Sequence, residues 1–198
     1  MKFPVQLVGL VFRLVENKLC VLVTKDSEKA LWALPSLPLR DASPEQLLSQ
    51  QIEAFGVKVS YLEQLYTFSE AEQESITIAY IVLAHSGDLE KEEVKWVSAK
   101  RVPALKGIHS QIKEAGLQRL RNKISYSRIA TRLLPEEFTL TELLNVYEQI
   151  LDEPVDKRNF RKKMEAKKLV VPTTKYRRGT HRPALLYRQG PKNKNVPL

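Results

Sequence analysis

Residues 139–169 read TLTELLNVYEQILDEPVDKRNFRKKMEAKKL, and this stretch decides the fold of the C-terminal third of the chain. Thr139-Leu140-Thr141-Glu142 has the spacing of a capping box: a Thr hydroxyl and a Glu three residues on can satisfy the free amides that open a helix. Leu143, Leu144, Tyr147, Ile150 and Leu151 then recur at helical spacing, so this first helix has one apolar face. The turn DEPV contains Pro154 and ends it. Asp156 is a good N-cap for a second helix, KRNFRKKMEAKKL, with Val155 and Phe160 in the two places of a hydrophobic staple. At about 100° per residue, Phe160 and Met164 fall about 40° apart, while Arg158, Arg161, Lys162 and Glu165 gather on the opposite side. One face packs and the other is basic, as in a helix that enters a major groove, where Arg can pair bidentately with guanine and Lys meets phosphate.

Two β-prone runs follow in LVVPTTKYRRGTHRPALLYR, residues 169–188, around the basic tip Arg177-Arg178-Gly179-Thr180-His181-Arg182. A hairpin directly after a helix-turn-helix is a wing, which lies along the DNA backbone or in the minor groove. The candidate DNA contacts are Lys157, Arg158, Arg161 and Lys162 on the second helix and Lys175, Arg177, Arg178 and Arg182 on the wing. His181 has no second His, Cys or carboxylate at metal-ligand spacing and is read as a loop residue, so no metal site is expected.

Charge supports the same division. Residues 1–120 hold 14 Lys/Arg against 15 Asp/Glu, a net of −1; residues 121–198 hold 18 against 8, a net of +10. The basic charge belongs to one domain and implies a polyanionic partner. The opening residues carry apolar stretches interrupted by Arg13 and Glu16, with no cleavage site after a long apolar run. No stretch approaches the roughly 18 apolar residues of a membrane span. Cys20 is the one cysteine and sits in the apolar run LCVLV, which excludes a disulfide framework or a thiolate cluster and reads as a buried thiol. A cytoplasmic protein without membrane attachment is expected.

The rest of the chain is β-rich. Residues 4–15 and 18–24 predict two strands joined at Glu16-Asn17. Ser43-Pro44-Glu45-Gln46 predicts an N-cap, a Pro in the first turn and a capping box for a helix that buries Leu48, Ile52 and Phe55 and stops at Gly56. Strands are expected at about 59–68, 75–84 and 94–97. A connecting helix is expected over 108–123 from the spacing of Ile108, Ile112, Ala115 and Leu120. The tail GPKNKNVPL is expected to fray. These readings give a domain at 1–106, a connecting helix at 107–124, a DNA-binding domain at 125–190 and a flexible tail at 191–198.

The run from LPEEF to MEAKKL, with RRGTHRPALLYR after it, resembles the C-terminal domain of the NrtR family of Nudix-related bacterial transcriptional regulators. That resemblance implies an α+β chain: an N-terminal Nudix-like α/β/α sandwich with a mixed sheet, then a C-terminal winged helix-turn-helix. LWALPSLPLR at 31–40 stands where such proteins show a tryptophan, Leu-Pro-Gly-Gly and an Arg, and LEQLYTF and SITIAYIVL resemble the strands after the Nudix helix. Hydrolases of that fold cleave diphosphates with divalent metal held by clustered glutamates, since carboxylates suit hard cations. Here Ser36-Leu37 replaces the glycine pair, and the segment to Gly56 is two residues shorter than the motif. Anchored on SPEQ, the acidic places hold Gln50, Gln51, Ala54 and Phe55; anchored on Gly56, they hold Ser49, Gln50, Glu53 and Ala54. At most Glu53 survives, so no catalytic residues and no cofactor are expected.

The resemblance therefore implies a sensor that binds a small molecule, a nucleotide such as ADP-ribose or a sugar, without hydrolysing it. Arg40 and Trp32 are the candidates to meet phosphate and base or sugar, with core packing as the alternative for Trp32. EAEQESITIAY stands in place of the family's Arg-Gly-Arg segment, which argues against ADP-ribose in particular. The expected partners are double-stranded DNA with a pseudo-palindromic operator, an effector and a second copy of the chain, since two-fold proteins favour two-fold sites. Two other functions compete: a Nudix-type diphosphate hydrolase with a basic accessory domain, and a nucleic-acid-binding module without sequence preference.

Overall fold

The computed structural model describes residues 4–25, 31–70, 75–86, 94–178 and 183–191. It divides into two compact units, 1–119 and 120–198.

The first unit is built on a seven-stranded mixed sheet. Strands β1 (Val5–Val15) and β2 (Lys18–Lys25) form the expected hairpin. Its turn residues Glu16 (φ 47°) and Asn17 (φ 63°) both lie in the left-handed region, the geometry that matches strand twist in a two-residue turn. The sequence leaves LWALPSLPLR unassigned. It forms two short strands, β3 (Trp32–Ala33) on β2 and β4 (Ser36–Pro38) on β1, after which comes helix α1 (Pro44–Glu53). Strands β5 (Lys58–Glu70), β6 (Ser75–Ser86) and β7 (Val94–Ser98) complete the sheet. Its main path runs β3-β2-β1-β6-β5, with β7 also on β2; β1 and β6 pair in parallel and the other strand pairs are antiparallel among the described residues.

Alternation along β1 decides which helix each face receives. A Cβ built on Gly9 would lie 3.2 Å from Leu48 of α1, so the odd-numbered residues face α1, where Leu7 and Val11 join Leu48, Ile52 and Tyr80 in one core cluster. A Cβ on Gly116 would lie 2.1 Å from Leu10, so the even face meets helix α2 (His109–Ile124). Helix, sheet and helix make the expected three layers. Gly56, at φ 79°, stands after the end of α1 as the sequence predicts. The Ser43–Gln46 capping box does not form. Ser43 gives α1 no side-chain cap, and its hydroxyl donates to Glu45 at 2.7 Å.

In the second unit a short 3-10 turn at Ile129–Leu133 leads to strand β8 (Phe138–Thr139), helix α3 (Leu140–Leu151), helix α4 (Lys157–Ala166) and the hairpin β9 (Val170–Arg177) and β10 (Ala184–Gln189). The strands form a three-stranded sheet in the order β8-β10-β9. Pro172, which has no amide to donate, sits on the edge strand β9, where that omission is tolerated. Phe160 and Met164 are buried, and the Phe160 ring meets Tyr147 edge-on at 4.9 Å between centroids. Burial pushes the Tyr147 phenol up to about 12. Arg128 is buried and donates to the carbonyls of Gly190 and Pro191, at 2.6 Å for Gly190. Gly190 is required there, since a Cβ would lie 2.1 Å from the Lys168 carbonyl oxygen.

Candidate nucleic-acid interface

Both helices of the C-terminal unit begin as the sequence dictates. The Thr139 hydroxyl accepts from the Glu142 amide at 3.2 Å, and the Glu142 carboxylate accepts from the Thr139 amide at 2.8 Å, so the capping box is closed. Asp152 ends α3 in the left-handed conformation (φ 62°), and the Asp156 carboxylate accepts from the Asn159 amide at 2.8 Å to start α4. With Phe160 and Met164 turned inward, Lys157, Arg158, Arg161 and Lys162 are all exposed on one short, rigidly started helix. Lys157 and Arg161 also border a cleft of about 180 Å³ with Leu140, Thr141 and Leu144.

The wing adds Lys175 and Arg177 on β9 and Arg178 just beyond it, all exposed. Tyr176, which the sequence reading passed over, lies between two of these cations and is 60 % exposed. Arg182 and His181 lie outside the described residues.

The cations differ in their partners. Lys175 donates to both carboxylate oxygens of Glu137 at 3.1 Å. Arg188 pairs with the same carboxylate, its Nε at 3.0 Å, and Arg177 pairs with Glu142. Hydrogen bonds from Arg188 and then Lys175 hold the Glu137 carboxyl below the usual carboxylate range. Arg161 pairs with Glu165 one turn along α4, at 3.1 Å. Among the described residues, Lys157, Arg158, Lys162 and Arg178 have no acidic partner. Sequence reasoning missed Glu137, Arg188 and the second role of Glu142. Glu137 stands one residue before β8, whose Phe138 pairs with Tyr187, so strand register brings it beside Arg188 across 51 residues of chain.

The α1 frame of the first unit has a different character. Glu53, Gln50 and Ala54 are exposed, and Ser49, Gln51 and Phe55 are half-buried. The Gln51 side-chain amide donates to the Ser36 carbonyl at 2.9 Å, tying α1 to the start of β4. Glu45 accepts from Tyr80 at 3.0 Å as well as from Ser43. Ser43, its own amide and Tyr80 lower the Glu45 pKa, while burial and Glu45 push Tyr80 up to about 12. Among the described residues no three His, Cys, Asp or Glu side chains are grouped to hold a metal.

Trp32 is half-buried, with Lys95 Nζ 5.7 Å from its ring centroid, and Arg40 is exposed after β4. No described hydrogen bond or ring contact joins the two. His109, unnoticed in the sequence, is buried at the start of α2 and accepts from the Leu34 amide through Nδ1 at 3.0 Å. It thereby fixes the segment that carries Trp32. Among the described residues no helix is long and apolar enough to cross a membrane.

Comparison with known proteins agrees with this geometry. Residues 130–189 match the family model for the NrtR DNA-binding winged helix domain. The chain is 29% identical over 196 residues to a protein of Acinetobacter baylyi described as the ADPR responsive transcriptional repressor NtrR, covering 90% of this chain and 78% of that one. It is similar in structure to Shewanella oneidensis NrtR complexed with a 27mer DNA, at TM-score 0.83 and 28% identity over 93% of both chains. A MutT/nudix family protein from Enterococcus faecalis shares the fold at TM-score 0.80 and 19% identity, covering 96% of this chain and 89% of that one. Residues 130–189 thus match the NrtR DNA-binding winged helix domain, and the chain as a whole is similar to NrtR regulators.

Proposed function

We propose that this protein binds a specific duplex DNA site through α4 and the β9–β10 wing, and that its N-terminal domain senses a small molecule without hydrolysing it. One observation carries the DNA reading: a firmly capped helix exposes Lys157, Arg158, Arg161 and Lys162 from a unit whose wing carries further cations. The likeness to a regulator complexed with DNA supports it. ADP-ribose or a related nucleotide is the first effector to test, because the Acinetobacter relative is described as ADPR responsive. Trp32 and Arg40 are the proposed contacts, on a frame tied down by His109 and Gln51. The absence of an Arg-Gly-Arg segment keeps a sugar as the next ligand to screen. We further propose that two copies bind a pseudo-palindromic operator.

The decisive experiment measures binding of the full chain to its own upstream DNA at fixed salt, with and without ADP-ribose. Arg158→Ala with Arg161→Ala should weaken binding by about 2–4 kcal/mol. Wild-type affinity in that double variant would remove α4 from the interface. ADP-ribose should raise the melting temperature and change DNA affinity, since a ligand that prefers one arrangement shifts the equilibrium by its differential binding. Metal-dependent cleavage of ADP-ribose that Glu53→Gln abolishes would sink the non-hydrolytic reading.

A further inference from the structure

The wing cations Lys175, Arg177 and Arg188 are exposed, and each is paired with a carboxylate. One carboxylate, Glu137, receives Lys175 from β9 at 3.1 Å and Arg188 from β10 at 3.0 Å, so it spans the three-stranded sheet. By contrast Arg158 and Lys162 on α4 have no acidic partner among the described residues. A cation reaching phosphate from water gains a new ion pair and releases condensed counterions. A cation that must first leave a carboxylate gains only the difference between two ion pairs, and the uncovered carboxylate then repels the same phosphates.

We propose that Glu137 is a specificity-setting residue of DNA binding. Resting on the regulator reading above, it holds Lys175 and Arg188 to the sheet, so that these cations add little to attraction for DNA of arbitrary sequence. They engage only where a site aligned with α4 draws the backbone close enough to exchange partners. The background of non-specific binding falls, and the ratio of specific to non-specific affinity rises. Glu137 acts through the cations it holds, as a positioning residue. The Arg177–Glu142 pair has the same form, but Glu142 also closes the α3 capping box, so changing it would disturb the helix as well. Glu137 is the clean handle.

The test uses the full chain and a random-sequence duplex of about 30 base pairs, titrated at several salt concentrations. Glu137→Gln should tighten binding about tenfold at low salt and steepen the log–log salt slope by up to about 1.8, the value for two added phosphate contacts. Asp41→Asn, an exposed position in the other unit with the same change in net charge, should leave the slope unchanged. Glu137→Asp, which keeps the charge, should restore wild-type behaviour. Unchanged or weaker random-duplex binding by a folded Glu137→Gln protein overturns the proposal. Should that variant fail to fold, Lys175→Ala in the wild-type background decides: a loss of about twofold or less, against a clearly larger loss for Arg158→Ala, supports it, and equal losses overturn it. A wild-type chain that binds no duplex at low salt would instead defeat the regulator reading itself.

Discussion

The two units use their acidic side chains in opposite ways. In the N-terminal unit, α1 presents Ser49, Gln50 and Gln51, and of its two acids Glu53 is exposed while Glu45 accepts from Ser43 and Tyr80. In the C-terminal unit, Glu137, Glu142 and Glu165 stand among an excess of cations and pair with four of them. The difference teaches that a scaffold and its chemistry are separable. Backbone periodicity and the buried Leu48 and Ile52 seat α1 on its sheet whatever its outward side chains are, whereas the charged surface of the second unit depends on which cations an acid has already taken.

The widest test of that separation is whether the units respond independently. Both tryptophans, Trp32 and Trp96, lie in the first unit, so tryptophan fluorescence reports it alone. Phe160→Ala removes the ring that packs on Tyr147 and should destabilise the second unit by about 3–5 kcal/mol in denaturant, leaving the tryptophan transition in place. An equal shift in both signals would mean that the units unfold as one.

Alkaline pH probes the second unit next. An unfolded Tyr titrates near 10, and Tyr147 is pushed up to about 12 by burial. Its contribution is fully present below pH 10 and is lost as pH rises from 10 through about 12, a loss of about 2–3 kcal/mol. Tyr147→Phe should flatten that decline as followed by circular dichroism; an unchanged alkaline profile would place the loss elsewhere, with Tyr80 the first alternative.

Gly116→Ala perturbs the first unit. Alanine gains about 1 kcal/mol of helix propensity. Against that, its Cβ would stand 2.1 Å from buried Leu10, and overpacking costs about 1–3 kcal/mol. The tryptophan transition should fall by about 1 kcal/mol net; a rise would mean that Leu10 moves aside freely. The smallest effect is Thr139→Ala, which opens the α3 capping box and should cost the second unit about 1 kcal/mol by the same denaturation measurement.

Features set by neighbours in sequence were legible: the Glu16-Asn17 turn, the stop of α1 at Gly56, the caps at Thr139 and Asp156, and the inward turn of Phe160 and Met164. Each is decided within a few residues, where sterics and local hydrogen bonds dominate. Strands β3, β4 and β8 were not legible, being two or three residues long and strands only because a partner strand supplies the hydrogen bonds. The Ser43 cap was not realised: the side chain is turned to the Glu45 carboxylate and accepts from no amide of the first turn. Of the candidate interface, the cations could be named from sequence, but their partners could not: Arg177 meets Glu142 across 35 residues and Lys175 meets Glu137 across 38, distances that only the folded sheet closes.

Glu142 carries the longest consequence of that closure. One carboxylate receives the Thr139 amide and hydroxyl on one oxygen and the Arg177 guanidinium on the other. The start of the scaffold helix and the charge of the wing thus share a single heritable unit. A substitution at position 142 that changes the charge of the wing therefore also opens the α3 capping box, whereas charge at 137, 175 and 188 can change without loosening the start of that helix.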